Sequence, residues 1–292
     1  MTNSNECEKI IIVNKSMKIY HYTSIDALAM IMSTRSIKFN RLDKVDDMEE
    51  RAESQNVRLW QYLFVSCWTE NAEESIPLWR MYSGNAHGVR IAMDVDMFED
   101  NVVGGTNVPP DIPHEGFLVG KIPAQDLFRH DYFVLPISMR QQANGDDTLF
   151  YCHVNYVDDV DEMTKDAFQL TMTDATHASS NIAFGEIGKY KNKRWAFQEE
   201  SRFRLVIFPF NPIRCNPDLV SSVAVNAFRS NVPVPISEYY LKLKQEALNT
   251  IEITLHPNAT VSDRVIVEAL CAKYAQDAKI KVSELADRVI LK

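Results

Sequence analysis

The stretch Lys18–Asn40, KIYHYTSIDALAMIMSTRSIKFN, sets the reading of the fold. Lys18–Thr23 reads as a short strand. Ser24 is a residue whose hydroxyl accepts from the first backbone amides of a helix, and Asp26 would sit in that helix's first turn. Ile25, Leu28, Ala29 and Met32 then recur on one helical stripe, and Ser36–Asn40 reads as a second strand.

Working outward, Tyr62–Trp68 (YLFVSCW) has the continuous apolar character of a buried strand. Ile76–Tyr82 reads as a helix with Pro77 in its first turn. In Gly88–Val95, Val89, Ile91, Met93 and Val95 alternate on one face. The segment from Asp100 to Asn144 is irregular. It is read as an ordered insertion (about 100–147), because Phe117, Leu118, Phe128, Tyr132 and Phe133 need burial. Beyond it the pattern predicts a strand over Thr148–Val157, a helix over Glu162–Ile182, and strands at Glu199–Phe208 and Val220–Val225. A helix at Ser237–Leu248, a strand at Thr250–Leu255, a helix at Thr260–Ala275 and a strand at Lys279–Val282 follow. Strands do not alternate strictly with long helices. The expected class is therefore α+β, with a mixed or split sheet and flanking helices. Residues 1–17 are read as an N-terminal extension and 18–292 as one domain.

The chain has 292 residues and a formal net charge of −9. Its 9 glycines form neither GxGxxG nor a Gly-Lys-Ser/Thr loop, which argues against a Rossmann turn and a P-loop. The acidic balance argues against bulk coating of nucleic acid or of an anionic membrane. No apolar run reaches the roughly 20 residues of a membrane span. The five cysteines are scattered and never CxxC, and the N-terminus is not a signal peptide, so a cytoplasmic location is expected.

Four places carry candidate chemistry. His21-Tyr22-Thr23 ends a strand beside a helix N-terminus, where an anionic ligand can sit. In Trp195–Leu205, read as a strand, Gln198, Glu200, Arg202 and Arg204 share one face. Such a face is costly to bury unless paired or functional. From 189 to 204 there are six basic and two acidic residues, a local excess of +4 that includes Lys193 and suits phosphates. The same residues can equally form a structural Glu–Arg ladder. Asp46, Asp47 and Glu50 cluster in an acidic turn that could bind Mg²⁺ or merely begin a helix. Trp79 and Tyr82, three apart on a helix, could be core packing or a wall on which a base stacks.

The order of these pieces resembles the DUF2971 family of bacterial proteins. The residues that carry the resemblance are Tyr20-His21-Tyr22-Thr23-Ser24, Ile37–Arg41 (IKFNR), Asp46-Asp47-x-x-Glu50, Phe64–Glu70 (FVSCWTE), Leu78-Trp79-x-x-Tyr82, His87-Gly88-Val89-x-Ile91, Lys193-x-Trp195-x-x-Gln198-x-Glu200-x-Arg202 and Ile251-x-x-x-Leu255-x-Pro257. Asp46 stands where that family has asparagine, and Gln198 where it has a first glutamate. The layout of His-Tyr-Thr on an early strand and Gln-x-Glu on a late one is also similar to ADP-ribosyltransferases. That resemblance implies NAD as substrate, held on a split sheet without a glycine turn. It implies Glu200, with Gln198, as the carboxylate site facing an oxocarbenium-like ribose, and His21 as the contact to the ribose or amide. It further implies Tyr82 and Trp79 as stacking surfaces, and Tyr22, Thr23, Arg41, Lys193, Arg202 and Arg204 as ligand contacts. No metal and no membrane are expected. The acceptor would be a protein or nucleic acid, in a toxin or phage-defence setting. Two other readings stay open: a metal-dependent nuclease or phosphoesterase using Asp46, Asp47, Glu50 and Glu200, and a non-catalytic module that binds a nucleotide or small molecule.

Overall fold

The computed structural model describes residues 17–51, 53–84, 87–135, 149–172 and 178–291. The N-terminal extension through residue 16, and residues 136–147 of the expected insertion, lie outside them. In chain order the first elements are β1 (Lys18–Ser24), α1 (Ile25–Thr34), β2 (Ser36–Arg41), β3 (Leu63–Thr69), α2 (Ile76–Tyr82) and β4 (Gly88–Asp94). Next come β5 (Asn101–Gly104), β6 (Phe117–Gly120), α3 (Ala124–Leu127), β7 (Phe133–Val134), β8 (Tyr151–His153), β9 (Asn155–Val157) and α4 (Val160–Thr164). They are followed by β10 (Phe168–Met172), β11 (Ala178–Ile182), β12 (Tyr190–Asn192), β13 (Glu200–Phe208) and α5 (Val220–Arg229). The last are β14 (Glu238–Lys242), α6 (Gln245–Asn249), β15 (Glu252–Leu255), α7 (Val261–Tyr274) and β16 (Lys279–Lys281).

The fold is α+β, with a mixed sheet and flanking helices. Ten strands form one sheet whose main path is β14-β2-β3-β1-β4-β15-β16, with β13 beside β3 and with β7 and β8 beside β13. All its pairings are antiparallel except β15 with β16. The sheet is divided. β1 pairs with β4 over seven residues, and β13 with β3 over seven. Between these two halves β1 meets β3 at a single pair, Tyr20 opposite Thr69. β2 meets β3 only at Asn40 and Arg41. The strands therefore splay, and a cleft opens along the split.

Strand alternation separates the two faces. Tyr20, Thr69 and Glu200 stand opposite one another in register, as do Cys67 and Arg202, so these side chains share one face with Tyr22. Ile19, Trp68 and Phe203 belong to the other, which is the apolar core side. His21 alternates onto that side as well, but it sits at the split, against the Cys67 carbonyl, and lines the cleft there. α1 is held at its start by Ser24, whose hydroxyl accepts from the Ala27 amide at 3.1 Å, and ends at Arg35 in the left-handed conformation. Its Ile25, Leu28 and Met32 enter the core, while Ala27, Met30, Ile31 and Thr34 line the cleft.

Five expectations are corrected. The segment expected as a helix over 162–182 holds a one-turn helix and the antiparallel strand pair β10 and β11. The expected strand at 220–225 is the start of α5: Val225 and Phe228 are a helical turn apart and both buried, so the apolar spacing prevails over the β-branched valines. The expected helix at 237–248 begins as β14, where Tyr239 and Leu241 are buried and alternate with exposed Glu238, Tyr240 and Lys242. Residues 193–198 form a 3-10 turn, and the strand begins only at Glu200 after Glu199 takes a left-handed φ of 43°. Within the insertion, Ile122, Leu127, Tyr132, Phe133 and Val134 enter the main core. Phe117 and Leu118, expected to be buried, are exposed on the β5–β6 hairpin.

Gly188 is required by this packing. Its φ is +65°, and a Cβ there would meet the Leu63 Cδ2 atom well inside van der Waals distance. The substitution Gly188→Ala should cost on the order of 1–3 kcal/mol, from backbone strain and overpacking together. Urea denaturation of wild type and variant would measure it, and equal midpoints would contradict the packing described.

Candidate functional site

The cleft at the split has a volume of about 420 Å³, within the range of small-molecule sites. β1 contributes Tyr20, His21, Tyr22 and Thr23, and β3 contributes Val65–Thr69. α1 and β2 form one wall, α2 supplies Leu78 and Tyr82, and Lys191, Gln198 and Glu200 close the polar end.

At that polar end four charges are buried together. Arg202 is fully buried on β13. Its guanidinium donates to both oxygens of Glu50, through Nη1 to Oε2 and through Nη2 to Oε1 at 3.0 Å. Its Nε donates to Glu200 Oε1, and its Nη1 also reaches the Gly188 carbonyl at 3.1 Å. The Lys191 ammonium, side chain 4% exposed, donates to Gln198 Oε1 at 2.7 Å and to Glu200 Oε2 at 3.1 Å, and lies 3.4 Å from Glu50 Oε1. Two carboxylates and two cations thus neutralise one another. Burial alone would raise the Glu200 carboxyl, but the charges of Arg202 and Lys191 and the hydrogen bond from Arg202 prevail and hold it at about 2. Glu200 is therefore an ionised carboxylate at neutral pH, at the edge of the cleft.

The amide of Gln198 extends this network to the mouth. Its Nε2 donates to the Tyr82 hydroxyl at 2.8 Å, and that hydroxyl donates to Asp46 Oδ2 at 2.8 Å. Burial and the Asp46 hydrogen bond both push the Tyr82 phenol up. The Cys67 thiol is also pushed up, by burial first and then by the charge of Glu200. Both groups stay protonated.

On the opposite side of the split, His21 Nδ1 lies 2.8 Å from the Cys67 carbonyl. A carbonyl only accepts, so Nδ1 carries the proton and Nε2 keeps its lone pair. Burial lowers the His21 pKa more than the Cys67 hydrogen bond raises it. Nε2 has no hydrogen-bond partner among the described residues. Trp68 flanks the imidazole, with ring centroids 5.1 Å apart.

The cleft brings together His21, Tyr22, Thr23, Tyr82, Gln198 and Glu200 of the residues singled out from the sequence, with Asp46 at its mouth. Others are placed elsewhere. Arg202 and Arg204, expected to face a phosphate, are fully buried and do not line the cleft; Arg204 Nη1 donates to the carbonyls of Gly185 and Ile187 at 2.9 and 3.1 Å. Lys193 is exposed and paired with Asp158 at 2.6 Å. Arg41 is held by Asp43 through two hydrogen bonds. Trp79 is fully buried, packed edge-on against Tyr22 and His256, and its Nε1 donates to Glu74. In the acidic turn, Asp47 caps its own 3-10 turn and Glu50 is committed to Arg202 and Lys191. Among the described residues no three His, Cys, Asp or Glu side chains are grouped to hold a metal ion.

Lys191, Cys67, Trp68 and the rim lysines Lys38 and Lys44 were not singled out from the sequence. Lys191 is disguised by its neighbours Lys189 and Lys193, which make it look like part of a solvated run. Its sequence signal is its period-two offset from Lys193, too weak to use before β12 is known. No helix among the described residues is long and apolar enough to cross a membrane. No protein-family model, curated protein or solved structure matches the chain.

Two outcomes follow from the quartet. Glu50→Ala leaves Arg202 buried with one partner fewer, and should destabilise by about 3–5 kcal/mol in denaturant titrations. The folded carboxyl of Glu200 lies below its unfolded value of 4.5, so its contribution is complete above pH 4.5 and is lost as pH falls towards 2. A stability profile from pH 7 to 2 should fall less steeply over that window in Glu200→Gln than in wild type. Parallel profiles would contradict the ionised state of Glu200.

Proposed function

We propose that this chain binds NAD in the cleft at the split of the sheet and breaks its nicotinamide–ribose bond, as the ADP-ribosyltransferases it resembles do. One observation carries the reading. His21 from one half-sheet and Glu200 from the other line a single cleft of about 420 Å³. The reaction needs what these two groups supply. As the bond from ribose C1′ to the nicotinamide nitrogen breaks, its electron pair goes to the ring and positive charge develops on the ribose. An ionised carboxylate fixed in a buried setting stabilises that charge without having to reorganise. His21 Nε2, a neutral acceptor, suits a ribose hydroxyl or the carboxamide N–H of the ligand.

The phosphate contacts assigned from the sequence move. The cations of the 189–204 segment are engaged within the protein or lie outside the cleft; of the rim lysines, Lys38 pairs with Glu238 at 3.5 Å, and Lys44 is the one placed to meet a diphosphate. The acceptor is proposed to be a protein or nucleic acid, and the setting a bacterial toxin or phage-defence system in the cytoplasm. Both rest on the resemblance alone. A second reading, a binding module without turnover, is favoured by the fact that each oxygen of Glu200 already accepts from a cation.

The test is incubation of wild type, Glu200→Gln and His21→Ala with NAD labelled in the adenylate half. Wild type should release nicotinamide and transfer or free labelled ADP-ribose, with each variant at least a hundredfold slower and still folded by circular dichroism. Saturable NAD binding with no nicotinamide release would favour the second reading. Neither binding nor release would remove the proposal.

A further inference from the structure

α7 presents an apolar stripe to solvent, where a surface helix ordinarily carries polar and charged residues. Asp263, Val267 and Cys271 are buried on its inner side, and Leu270 and Tyr274 pack partly against the core. The opposite side carries Val261, Val265, Ala269 and Ala272, whose spacing keeps them within an arc of about 80°. All four are exposed, Val261 at 80% and Val265 at 57%. Ile266, also exposed, borders the stripe on one flank. On the other flank stand Arg264 and Glu268, an exposed pair 3.7 Å apart.

The helix itself does not require this stripe. α7 is held by its buried side and by a capping box, in which the Thr260 and Asp263 side chains each accept from the other's backbone amide. Valine is a poorer helix former than the straight-chain residues that usually fill a solvent face, and here it leaves apolar area in water.

The order of residues along the stripe singles out one occupant. The valines lie in the first half of the helix and the alanines in the second. Laid antiparallel on a second α7, Val265 faces Ala269 of the partner subunit and Val261 faces Ala272 of the partner subunit. A large side chain then meets a small one in every layer, and the two axes can approach closely. In an antiparallel pair like flanks meet, so Arg264 stands opposite Glu268 of the partner subunit, and the two-fold repeats the contact. A parallel arrangement would set valine on valine and alanine on alanine. The stripe is its own complement in volume and in charge, the condition for an isologous two-fold contact. From this we infer that α7 is the contact surface between two copies of this chain, packed antiparallel. A pair of single helices is a small contact, so the dimer forms reversibly. No residue of α7 lines the cleft, and the inference stands without the NAD reading.

Sedimentation velocity of the full chain at low ionic strength reads the association. Wild type should pass from monomer to dimer as its concentration rises through about 10–100 µM, the range of a weak, small interface. Val265→Asp, at an exposed position that does not endanger folding, should weaken the dimer roughly tenfold with an unchanged circular dichroism spectrum. Arg264→Glu and Glu268→Arg should each weaken it roughly fivefold, because like charges then face each other. Mixing those two variants should restore dimers, since opposite charges again meet across the contact. The Arg264–Glu268 pair within one chain is broken in both variants, and mixing does not mend it. Phe117→Ser, on the exposed β5–β6 hairpin, should leave association unchanged. A monomer at every concentration, a dimer indifferent to Val265→Asp, no recovery on mixing, or a dimer lost through Phe117→Ser would each overturn the inference. Absence of NAD turnover would not touch it.

Discussion

Arg202, fully buried on the central strand β13, is clamped by Glu50 on one side and touches Glu200 on the other, while Lys191 bridges the same two carboxylates. These four side chains come from three segments: the turn after β2, the strand β12 and the strand β13. Taking four charges out of water is unfavourable, and only close mutual pairing offsets it. That requirement fixes where each segment sits. Glu50 brings the 48–50 turn down on the polar face of the sheet, and Lys191 brings β12 to the same place. Gly188 is drawn in as well, since its carbonyl completes the arginine's partners.

The polar face therefore has a neutral floor, and this limits what the cleft can recognise. Cations that count towards a local excess of +4 in the sequence are mostly unavailable to a ligand once folded. Positive charge remains at the rim on Lys44, and on Lys38 where it pairs with Glu238. The split itself is maintained from both sides. His21 reaches across it to the Cys67 carbonyl, occupying an acceptor that a continuous ladder would have used. α1 walls the gap with Ala27, Met30, Ile31 and Thr34. A single backbone pair, Tyr20 with Thr69, joins the halves where a regular sheet would have several.

Elements with strong local periodicity were legible in the sequence. The strands at Lys18–Ser24, Ser36–Arg41, Gly88–Asp94 and Glu200–Phe208 follow from alternation, and the helices at Ile25–Thr34, Ile76–Tyr82 and Val261–Tyr274 from apolar stripes, the Ser24 cap and Pro77 in a first turn. Where two signals compete, composition points away from the observed element. Val220–Val225 is rich in valine yet buries one helical face, and Tyr239–Leu241 alternates within a segment rich in helix formers. The unusual content of the 198–204 segment was visible as a buried polar face. Its resolution was not, because Glu50 and Arg202 are 152 residues apart and nothing local links them. Cleft walls such as Met30 and Val65 look like ordinary core residues until the missing strand pairs are known.

The protonation states narrow what chemistry the cleft can perform. A carboxyl held at about 2 stays ionised at neutral pH, so Glu200 offers a ligand a negative charge and no proton. Cys67 and Tyr82 are pushed up and stay protonated, which removes them as bases or anionic nucleophiles. His21 is different: burial keeps its ring neutral, and the hydrogen bond to Cys67 leaves the Nε2 lone pair exposed to a ligand. The arrangement suits a reaction in which positive charge develops on the substrate and an incoming hydroxyl or amine must lose a proton. It suits poorly any reaction that begins by protonating a leaving group. Transfer from a pyridinium glycoside meets both conditions, since its leaving group departs neutral and needs no acid. The neutralised floor has a physical consequence: its two cations keep Glu200 ionised and hold it in place.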